Sequence, residues 1–271
     1  MTDWTDLKCE LDMWARAGTH ATIWWRDDDA VEPTPAFERL LGLAAGHGVP
    51  LALAVIPARA SQALAARIAA AGNTVTPIQH GFAHRNHAPS SEKKIELGNN
   101  RPRHIVREEL ARGQARMASL FGPHAQAVLV PPWNRIDREL VPDLPELGFA
   151  ALSTYGPRPA MSGAPGLTQV NCHLDFMRWA VPRGFAGDAV AIDLLLGHLR
   201  RRRQGAVDAA EPSGILSHHA AHDAAAWDFL DRLLATLRSH PAVRFVTIAD
   251  AMRAAAPAAT ETPIRTARGA A

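Results

Sequence analysis

Two polar segments about fifty residues apart carry the side chains best suited to chemistry in this chain. Asp27, Asp28 and Asp29 follow an apolar run, and His80 and His84 stand four residues apart further along. Adjacent carboxylates repel one another, so a fold seldom places three of them at a strand end without a cation nearby. One carboxylate and two imidazoles would give a metal such as zinc three protein ligands and leave a position open for water. A second carboxylate could then take a proton from that water.

Both segments also have a purely structural interpretation. The three aspartates could cap a helix that begins near Thr34, and a His-x-x-x-His spacing often occurs by chance. Two histidines four residues apart can nevertheless face the same way from one helical turn or a tight loop. Because the two segments follow successive predicted strands, together they favour a metal site more strongly than either does alone.

A third polar segment, residues 131–135, follows the apolar run 128–130. Its two prolines stiffen a loop just beyond a predicted strand, and Trp133 presents a flat apolar face on which a sugar ring could stack. A tryptophan buried in the core is the alternative interpretation. The segment therefore predicts either a carbohydrate-binding wall or an ordinary part of the interior.

A fourth segment places His218 at the end of the predicted strand 214–217. Histidine titrates near neutral pH, so His218 could protonate a leaving amine on the side of the site opposite the metal. A buried, hydrogen-bonded histidine is the alternative, and this alternative is favoured for His219 and His222. Asp175 lies in a segment between these patches and could orient a catalytic side chain such as His218.

The composition narrows the class of protein. The chain has 271 residues, of which 47% are hydrophobic and 21% charged, as in an ordinary globular protein. A net charge of +2 argues against a nucleic-acid partner held by bulk electrostatics. Cys9 and Cys172 are the only cysteines, too few for a disulfide framework and poorly spaced for zinc. The N-terminal residues lack the features of a secretory signal, and no membrane span is predicted, so we expect a cytoplasmic protein.

Short apolar runs alternate with helical patterns along the chain, and one of these helical patterns spans 140–147. Such an alternation is typical of parallel strands covered by helices. The predicted strands are 22–26, 49–56, 74–79, 127–130, 149–153, a short one near 170, 214–217 and 244–248. The polar segments follow the C-terminal ends of strands, which converge on one mouth in a (β/α) barrel. We predict a single domain over 1–254 and a disordered tail over 255–271.

The order of these motifs resembles the polysaccharide deacetylase (NodB-homology) family, carbohydrate esterase family 4, over residues 20–250. The resemblance implies an α/β fold, a distorted (β/α) barrel with about seven parallel strands, and a metal-dependent deacetylase activity. By this similarity the family's motifs fall on the following residues: Asp28 as base, Asp29, His80 and His84 as metal ligands, Pro132 and Trp133 in a proline–aromatic motif, Leu216 in the acetyl pocket and His218 as acid.

Three positions depart from the family's pattern. Gly81 stands where a Ser or Thr usually follows the first histidine, and Ala30 stands where a glycine is usual. Val130 replaces the arginine that normally steadies the base. Arg135, five residues later, is the candidate substitute for that arginine, a predicted substrate-binding residue and a second candidate partner for Asp175.

We therefore predict an enzyme that removes acetyl groups from a small, soluble N- or O-acetylated sugar or sugar conjugate. The expected metal is Zn²⁺, with Co²⁺, Mn²⁺ or Ni²⁺ as alternatives. His87, just beyond the histidine pair, is predicted to contact the substrate. A metal-dependent amidase that acts on a non-sugar molecule and a non-catalytic, carbohydrate-binding barrel are the alternative functions, and the oligomeric state is left open.

Overall fold

The structure is a computed structural model, and it describes residues 2–159 and 164–255 of the chain. Strands and helices alternate through most of this length, as the sequence predicts. The strands are β1 (Ala21–Ala30), β2 (Leu51–Val55), β3 (Val75–His80), β4 (Val128–Val130), β5 (Ala151–Leu152), β6 (Thr168–Gln169), β7 (Leu174–Asp175), β8 (Met177–Arg178), β9 (Gly184–Phe185), β10 (Ser213–Ser217) and β11 (Val243–Phe245). The helices are α1 (Trp4–Arg16), α2 (Pro35–His47), α3 (Gln62–Ala71), α4 (Arg103–Phe121), α5 (Asp188–Arg203), α6 (Ala224–Ser239) and α7 (Ile248–Ala255).

Nine strands form one parallel sheet in the order β6-β5-β4-β3-β2-β1-β10-β7, with β11 against the start of β1. The sheet curls into a half-barrel with helices around it, and the segment 168–175 pairs with β5 at its start and with β10 at its end. β8 and β9 form a separate antiparallel hairpin. The predicted distorted (β/α) barrel is therefore confirmed.

The side chains of the central strand, β1, alternate between the two faces of the sheet. Trp24 packs in the barrel interior, where its indole N–H donates to the Asn171 carbonyl oxygen at 2.9 Å. Trp25 packs in the outer layer under the helices, and its indole N–H donates to Ser217 Oγ at 2.8 Å. The same alternation directs Arg26 into the interior, just below the mouth at the C-terminal end of the strand.

The larger hydrophobic core lies between the sheet and the outer helices. α2 illustrates how a helix is fixed there: Thr34 Oγ1 accepts the Phe37 N–H at its start, and Gly48 ends it in the left-handed conformation. Phe37 and Leu40 of this helix are fully buried, and each contributes about 1.5–3 kcal/mol to stability by leaving water. Because Thr34 caps α2, the three aspartates are not needed as its cap.

The structure differs from the predicted elements in several places. The strands β7, β8 and β9 were not predicted, and the strand predicted at 244–248 ends at Phe245. α1, which begins with a capping box at Asp3, was not predicted. The helix predicted at 140–147 is wrong: a 3₁₀ helix spans Arg138–Asp143 instead, and Pro142 inside it lacks the N–H that an α-helix would use. Of the tail predicted to be disordered, only Ala255 lies within the described residues, at the end of α7. None of the helices described is both long enough and apolar enough to cross a membrane.

Candidate active site

The three consecutive aspartates at the end of β1 point in different directions. Asp27 lies on the outer face, where it accepts hydrogen bonds from the Ser217 hydroxyl and from the ring and backbone N–H groups of His219. Asp28 faces the barrel interior. Asp29, with a φ of 75°, turns out of the strand at the mouth. Each carboxylate thus has its own partners, which offsets the repulsion that adjacency in sequence would cause.

Asp29, His80 and His84 form a group at the barrel mouth, here called the mouth cluster. Asp29 Oδ1 lies 3.3 Å from His80 Nε2 and 3.2 Å from His84 Nε2. His80 Nδ1 lies 3.0 Å from the Val130 carbonyl oxygen, so in the neutral ring Nδ1 carries the proton and the Nε2 lone pair faces Asp29. The three ligand atoms lie within 4.8 Å of one another, and Asp29 Oδ1 is buried without a hydrogen-bond partner.

The electrostatics of the mouth cluster suit a bound cation. Burial opposes ionisation of Asp29, but the neighbouring imidazoles outweigh it and hold the pKa of Asp29 below its usual range. Burial and the nearby His80 lower the pKa of His84, which favours the neutral form that a metal needs. Burial also opposes protonation of His80, yet Asp28 and Asp29 raise the pKa of His80. A divalent metal would supply the positive charge that these carboxylates attract, so the residues present fit one.

Glu96 holds the loop that carries the second histidine. Its carboxylate is buried and accepts the backbone N–H groups of Phe82, Ala83 and Arg85 at 3.0, 2.9 and 3.2 Å. His84 lies within this loop and has a φ of 56°. Glu96 therefore positions His84 without touching it. The sequence analysis missed Glu96, because no spacing rule marks a single glutamate in an irregular segment.

Gly81 departs from the family's pattern for a steric reason. Its φ of 53° lies in the left-handed region that favours glycine. A Cβ at this position would lie 2.6 Å from Pro132 Cδ and would overlap Glu96 Oε2. Pro132 and Glu96 thus fill the space that the side chain of a Ser or Thr would need.

Arg26 holds Asp28 in a bidentate ion pair in the barrel interior. Arg26 Nε lies 2.9 Å from Asp28 Oδ1, and Nη2 donates to Oδ2 at 3.0 Å. Arg26 also donates to Ser153 Oγ at 2.7 Å and to Asn134 Oδ1 at 2.6 Å. Burial opposes the charge on Arg26, but Asp28 outweighs it and raises the pKa of Arg26. The arrangement fixes the orientation of the Asp28 carboxylate.

The expectation that Arg135 steadies Asp28 is wrong. Arg135 Nη1 donates to the Lys94 carbonyl oxygen at 2.9 Å, whereas Arg26 makes the ion pair. Arg26 reaches Asp28 because residues two apart in a strand share a face. An arginine inside an otherwise apolar strand, two positions before an aspartate, was the signal that sequence reasoning overlooked.

His218 reaches the mouth from the end of β10. Its Nε2 lies 3.9 Å from Asp28 Oδ2, and Trp179 packs edge-on against its ring with centroids 4.6 Å apart. The backbone N–H of His218 donates to His222 Nε2 at 3.2 Å. Burial lowers the pKa of His222 to about 4, so its ring is neutral and can accept this bond. The structure therefore brings His218 beside the predicted base, and His222 positions its backbone.

Asp175 acts on the site indirectly. Its Oδ2 accepts the Trp179 indole N–H at 2.7 Å, and its Oδ1 accepts the Met177 backbone N–H at 3.0 Å. Burial raises the pKa of Asp175. The expectation that Asp175 orients His218 or Arg135 directly is wrong, because Trp179 lies between Asp175 and His218 and takes the hydrogen bond.

The other predicted site residues differ in exposure. Trp133 is half-buried and packs against His84 with centroids 4.4 Å apart, so it forms a wall of the mouth. Pro132 is buried, and Leu216 is fully buried in the barrel interior, where it belongs to the floor below the mouth. His87 is half-buried in the loop after His84 and lies outside the mouth cluster.

Backbone strain is concentrated at this mouth. Within the described ranges, the non-glycine residues with positive φ are Asp29, His84, Trp133 and Asn134, at 75°, 56°, 56° and 56°. Each such conformation costs on the order of 1–3 kcal/mol and persists only where surrounding contacts enforce it. Their location in one place supports a functional role for the mouth.

A second group of similar side chains lies where α5 packs against the start of β10, and it is here called the lower cluster: His173, His198 and Glu211. All three are buried, and the two imidazole rings stack in parallel with centroids 3.4 Å apart. Their Nε2 atoms lie 3.4 and 3.7 Å from the Glu211 carboxylate. His173 stands at the level of Gly214 and Trp24, four residues before Asp28 in β1.

Hydrogen bonding in the lower cluster works against metal binding. The Gly214 backbone N–H donates to His173 Nδ1 at 3.0 Å, so the proton of the neutral ring is on Nε2, facing Glu211. Burial opposes ionisation of Glu211, but the two histidines outweigh it and lower the pKa of Glu211 to about 2. Burial lowers the pKa of His198 to about 4. The lower cluster is therefore a buried group in which Gly214 and Ser213 hold the two imidazoles beside the Glu211 carboxylate.

No protein-family model and no curated protein sequence match the chain. Solved structures do match it. A Mycobacterium smegmatis protein provisionally assigned as a polysaccharide deacetylase has a TM-score of 0.62 at 17% identity, covering 87% of this chain and 90% of that chain. A mutant of the Bacillus subtilis peptidoglycan deacetylase PdaC has a TM-score of 0.54 at 14% identity, covering 87% and 91%.

A third match is a family 4 acetyl xylan esterase from Clostridium thermocellum, solved in complex with a cobalt ion. Its TM-score is 0.52 at 17% identity, and the match covers 86% of this chain and 90% of that chain. At such low identities the similarity establishes the fold. The structural neighbours thus confirm the resemblance drawn from the motifs at that level: the chain has the distorted (β/α) barrel fold of the polysaccharide deacetylases of carbohydrate esterase family 4.

Proposed function

We propose that the chain is a metal-dependent hydrolase that removes acetyl groups from an N- or O-acetylated sugar or sugar conjugate, with one catalytic domain over 1–254. The observation that carries this proposal is the convergence of the mouth cluster beside an aspartate, Asp28, that is buried and paired with Arg26. Three ligands alone would suit a binding site equally well. An oriented carboxylate next to them is what hydrolysis requires in addition.

Asp29, His80 and His84 are the residues that would hold the metal. Zinc accepts such a set of two imidazoles and one carboxylate, and Co²⁺, Mn²⁺ and Ni²⁺ are alternatives. When bound, the metal supplies Lewis acidity, which polarises the acyl carbonyl and makes water at the site more acidic. The Val130 carbonyl orients His80 and Glu96 orients the loop of His84, so both imidazoles are pre-organised.

Asp28 is the proposed proton acceptor for the attacking water. Its Oδ2 accepts one hydrogen bond from Arg26 Nη2, its Oδ1 lies 2.9 Å from Arg26 Nε in the ion pair, and a carboxylate oxygen has a second lone pair for a further donor. Arg26 therefore holds the Asp28 carboxylate in a fixed direction for the attacking water. Arg26 also weakens the argument for a non-catalytic barrel, which rested on the absence of an arginine at position 130.

His218 is the proposed proton donor to the leaving group. Its Nε2 is 3.9 Å from Asp28 Oδ2, so the donor and the acceptor flank the same reacting position. Trp179 restrains the imidazole ring and His222 restrains the backbone. Histidine can give up and regain a proton near neutral pH, as a residue that acts once per turnover must.

An acetylated sugar is the substrate class that the mouth supports. Trp133 is half-buried against His84 and offers a flat apolar face beside the metal ligands, which suits a sugar ring. The matched Clostridium and Bacillus proteins are named for action on acetyl xylan and on peptidoglycan. Pro132, Leu216 and His87 are proposed to shape the substrate site around Trp133.

The decisive test is elemental analysis of untagged protein, with and without Asp29→Ala, combined with assays of acetate release. We expect about one divalent metal per chain in the wild type and none in the variant. Acetate should be released from N-acetyl sugars faster than from non-sugar amides. Protein that takes up no zinc, cobalt or manganese would refute the proposal, whereas a preference for non-sugar amides would refute the substrate class alone.

A further inference from the structure

A large cavity adjoins the candidate active site. Its volume is about 910 Å³, and its walls include β5, β6 and the loop after β4. Asn134, which accepts a hydrogen bond from Arg26, forms part of the wall, as does Thr154, the residue after the Arg26 partner Ser153. The cavity therefore shares a wall with the residues that hold Asp28.

Positive charge without a counter-charge lines this cavity. Arg135 and Arg138 line it, and none of its lining residues is an aspartate or glutamate. Every ion pair of an arginine in the described part of the chain involves other residues. Lys94 adds a further charge nearby, because its carbonyl oxygen accepts from Arg135 and its Nζ lies 6.0 Å from the centroid of Trp133.

Half of the other arginines in the described ranges form an ion pair with a carboxylate. Arg103 and Arg107 share Asp143, Arg158 pairs with Asp208, and Arg26 pairs with Asp28, to give several examples. An unpaired cation beside a concave, partly enclosed volume focuses its field into that volume and attracts an anion. Arg135 and Arg138 are set apart because they line one cavity together, with no aspartate or glutamate among its lining residues.

The remaining polar groups of the cavity suit sugar hydroxyls. Gln169 Nε2 donates to Thr154 Oγ1 at 3.3 Å, and both side chains lie on the wall. Tyr155, which is 42% exposed, presents part of its ring there and donates its hydroxyl to the His173 carbonyl oxygen at 3.0 Å. The cavity combines donors, acceptors and an aromatic face with two guanidinium groups.

We propose that this cavity binds an anionic group of the substrate, so that the preferred substrates are acetylated sugars that carry a phosphate or a carboxylate. Arg135 and Arg138 would bind the anion, because a guanidinium matches both groups with paired N–H donors. The inference rests on the proposed function, since it assigns the substrate class of the same site. It makes Arg135 a specificity residue instead of the partner of Asp28 that the sequence suggested.

Direct binding tests this inference without requiring turnover. Isothermal titration of the full, untagged chain would compare N-acetylglucosamine with N-acetylglucosamine 6-phosphate and with N-acetylmuramic acid, which carries a carboxylate. We expect at least one anionic sugar to bind about tenfold more tightly than the neutral one, which corresponds to about 1.4 kcal/mol. The phosphate and carboxylate arms show which anion is preferred.

Two double variants separate a local effect from a change in net charge. Arg135→Gln/Arg138→Gln should reduce the affinity for the anionic sugar to that for the neutral sugar. Arg16→Gln/Arg244→Gln removes the same charge at the end of α1 and in β11, away from the cavity, and should keep the preference. Raising the salt concentration should weaken anionic binding in the wild type.

The outcomes distinguish this inference from the proposed function. Equal affinities for neutral and anionic sugars, no binding of either anionic sugar, or a preference that survives in Arg135→Gln/Arg138→Gln would overturn the anion site. A protein that keeps the anion preference but releases acetate from none of the three sugars would refute the hydrolase while the anion site stands.

Discussion

The mouth cluster and the lower cluster each contain two histidines and one carboxylate. At the mouth, His80 turns its Nε2 lone pair toward the carboxylate, whereas in the lower cluster His173 turns an Nε2 proton toward it. At the mouth, a backbone carbonyl meets His80 Nδ1, so the Nε2 lone pair of the neutral ring faces Asp29. In the lower cluster, a backbone N–H meets His173 Nδ1, so Nε2 of the neutral ring carries the proton and faces Glu211 at 3.4 Å. One backbone group therefore decides whether a histidine beside a carboxylate presents a lone pair, as a metal ligand must, or a proton.

The surroundings of the two clusters also suit a metal better at the mouth than in the lower cluster. The lower cluster is fully enclosed and its rings stack in parallel, so no single position lies in the plane of both imidazoles. At the mouth the rings are tilted by 48°, Asp29 is partly exposed and the backbone is strained at two of the three residues. The proximity of histidine and carboxylate side chains is thus a weak criterion for a metal site, and the direction of the nitrogen lone pairs is a sharper one.

Metal content should separate the clusters most strongly. His80→Ala removes a ligand at the mouth, so we expect the bound metal and the hydrolase activity to disappear together. In His198→Asn the asparagine amide can replace the imidazole as the hydrogen-bond partner of Ser213, and this variant should retain the full metal content. Elemental analysis of both variants, with circular dichroism to confirm folding, measures the difference. Metal loss in His198→Asn with retention in His80→Ala would reverse our assignment of the two clusters.

Asp28→Asn should separate metal binding from chemistry at the mouth. The amide keeps the shape of the side chain but cannot accept the proton from water, so the rate of acetate release should fall about 10²–10⁴-fold. The metal content should not change, because Asp28 is not a ligand in the proposed site. Steady-state assays on metal-loaded protein measure the loss, and a decrease of less than about tenfold would contradict the role of Asp28 as base.

Glu96→Gln should show how far the mouth depends on its supporting loop. An amide accepts fewer of the three backbone N–H bonds than the carboxylate does, so His84 should be held less firmly. Metal affinity should fall about 10–100-fold, as for other residues that orient a ligand. Competition with a chelator measures the affinity. Glu92→Gln, an exposed glutamate of the same loop, is the matched control, and an equal effect in both variants would remove Glu96 from the site.

The smallest expected effect concerns the lower cluster and the pH dependence of stability. Folding lowers the pKa of His198 to about 4, so between about pH 6.5 and 4 the unfolded chain binds more protons than the folded one. The free energy of unfolding should therefore decrease as the pH is lowered through this range. Urea unfolding at several pH values should show a shallower decrease in His198→Asn than in the wild type. His20→Asn, at an exposed histidine, should match the wild type.

The fold and most of the mouth could be predicted from the sequence because both follow short-range patterns. Alternating apolar runs and helical spacings predicted the parallel strands, and polar residues at strand ends predicted a shared mouth. Asp28, Asp29, His80, His84 and His218 do lie together there. Their catalytic and metal-binding roles stay predictions until they are tested.

The supporting residues could be predicted less well, because they act through contacts that no local pattern records. The pairing of Arg26 with Asp28 could have been predicted, since the two residues share a strand face. The valine at position 130 led to the prediction of Arg135 instead. Glu96 reaches the loop of His84 from twelve residues away through backbone N–H groups alone. The hydrogen bond from Trp179 to Asp175 depends on a hairpin whose strands are only two residues long.

The pairing of β1 with β10 has a consequence for how the protein is made. Ser217 bonds Asp27 across 190 residues of sequence, the proposed base Asp28 lies in β1, and the proposed acid His218 directly follows β10. During synthesis β1 must wait, with one edge unpaired, until most of the chain has left the ribosome, and such edges favour aggregation. A chain released before residue 213 would lack both its central pairing and His218, so the proposed site is completed only when β10 is added.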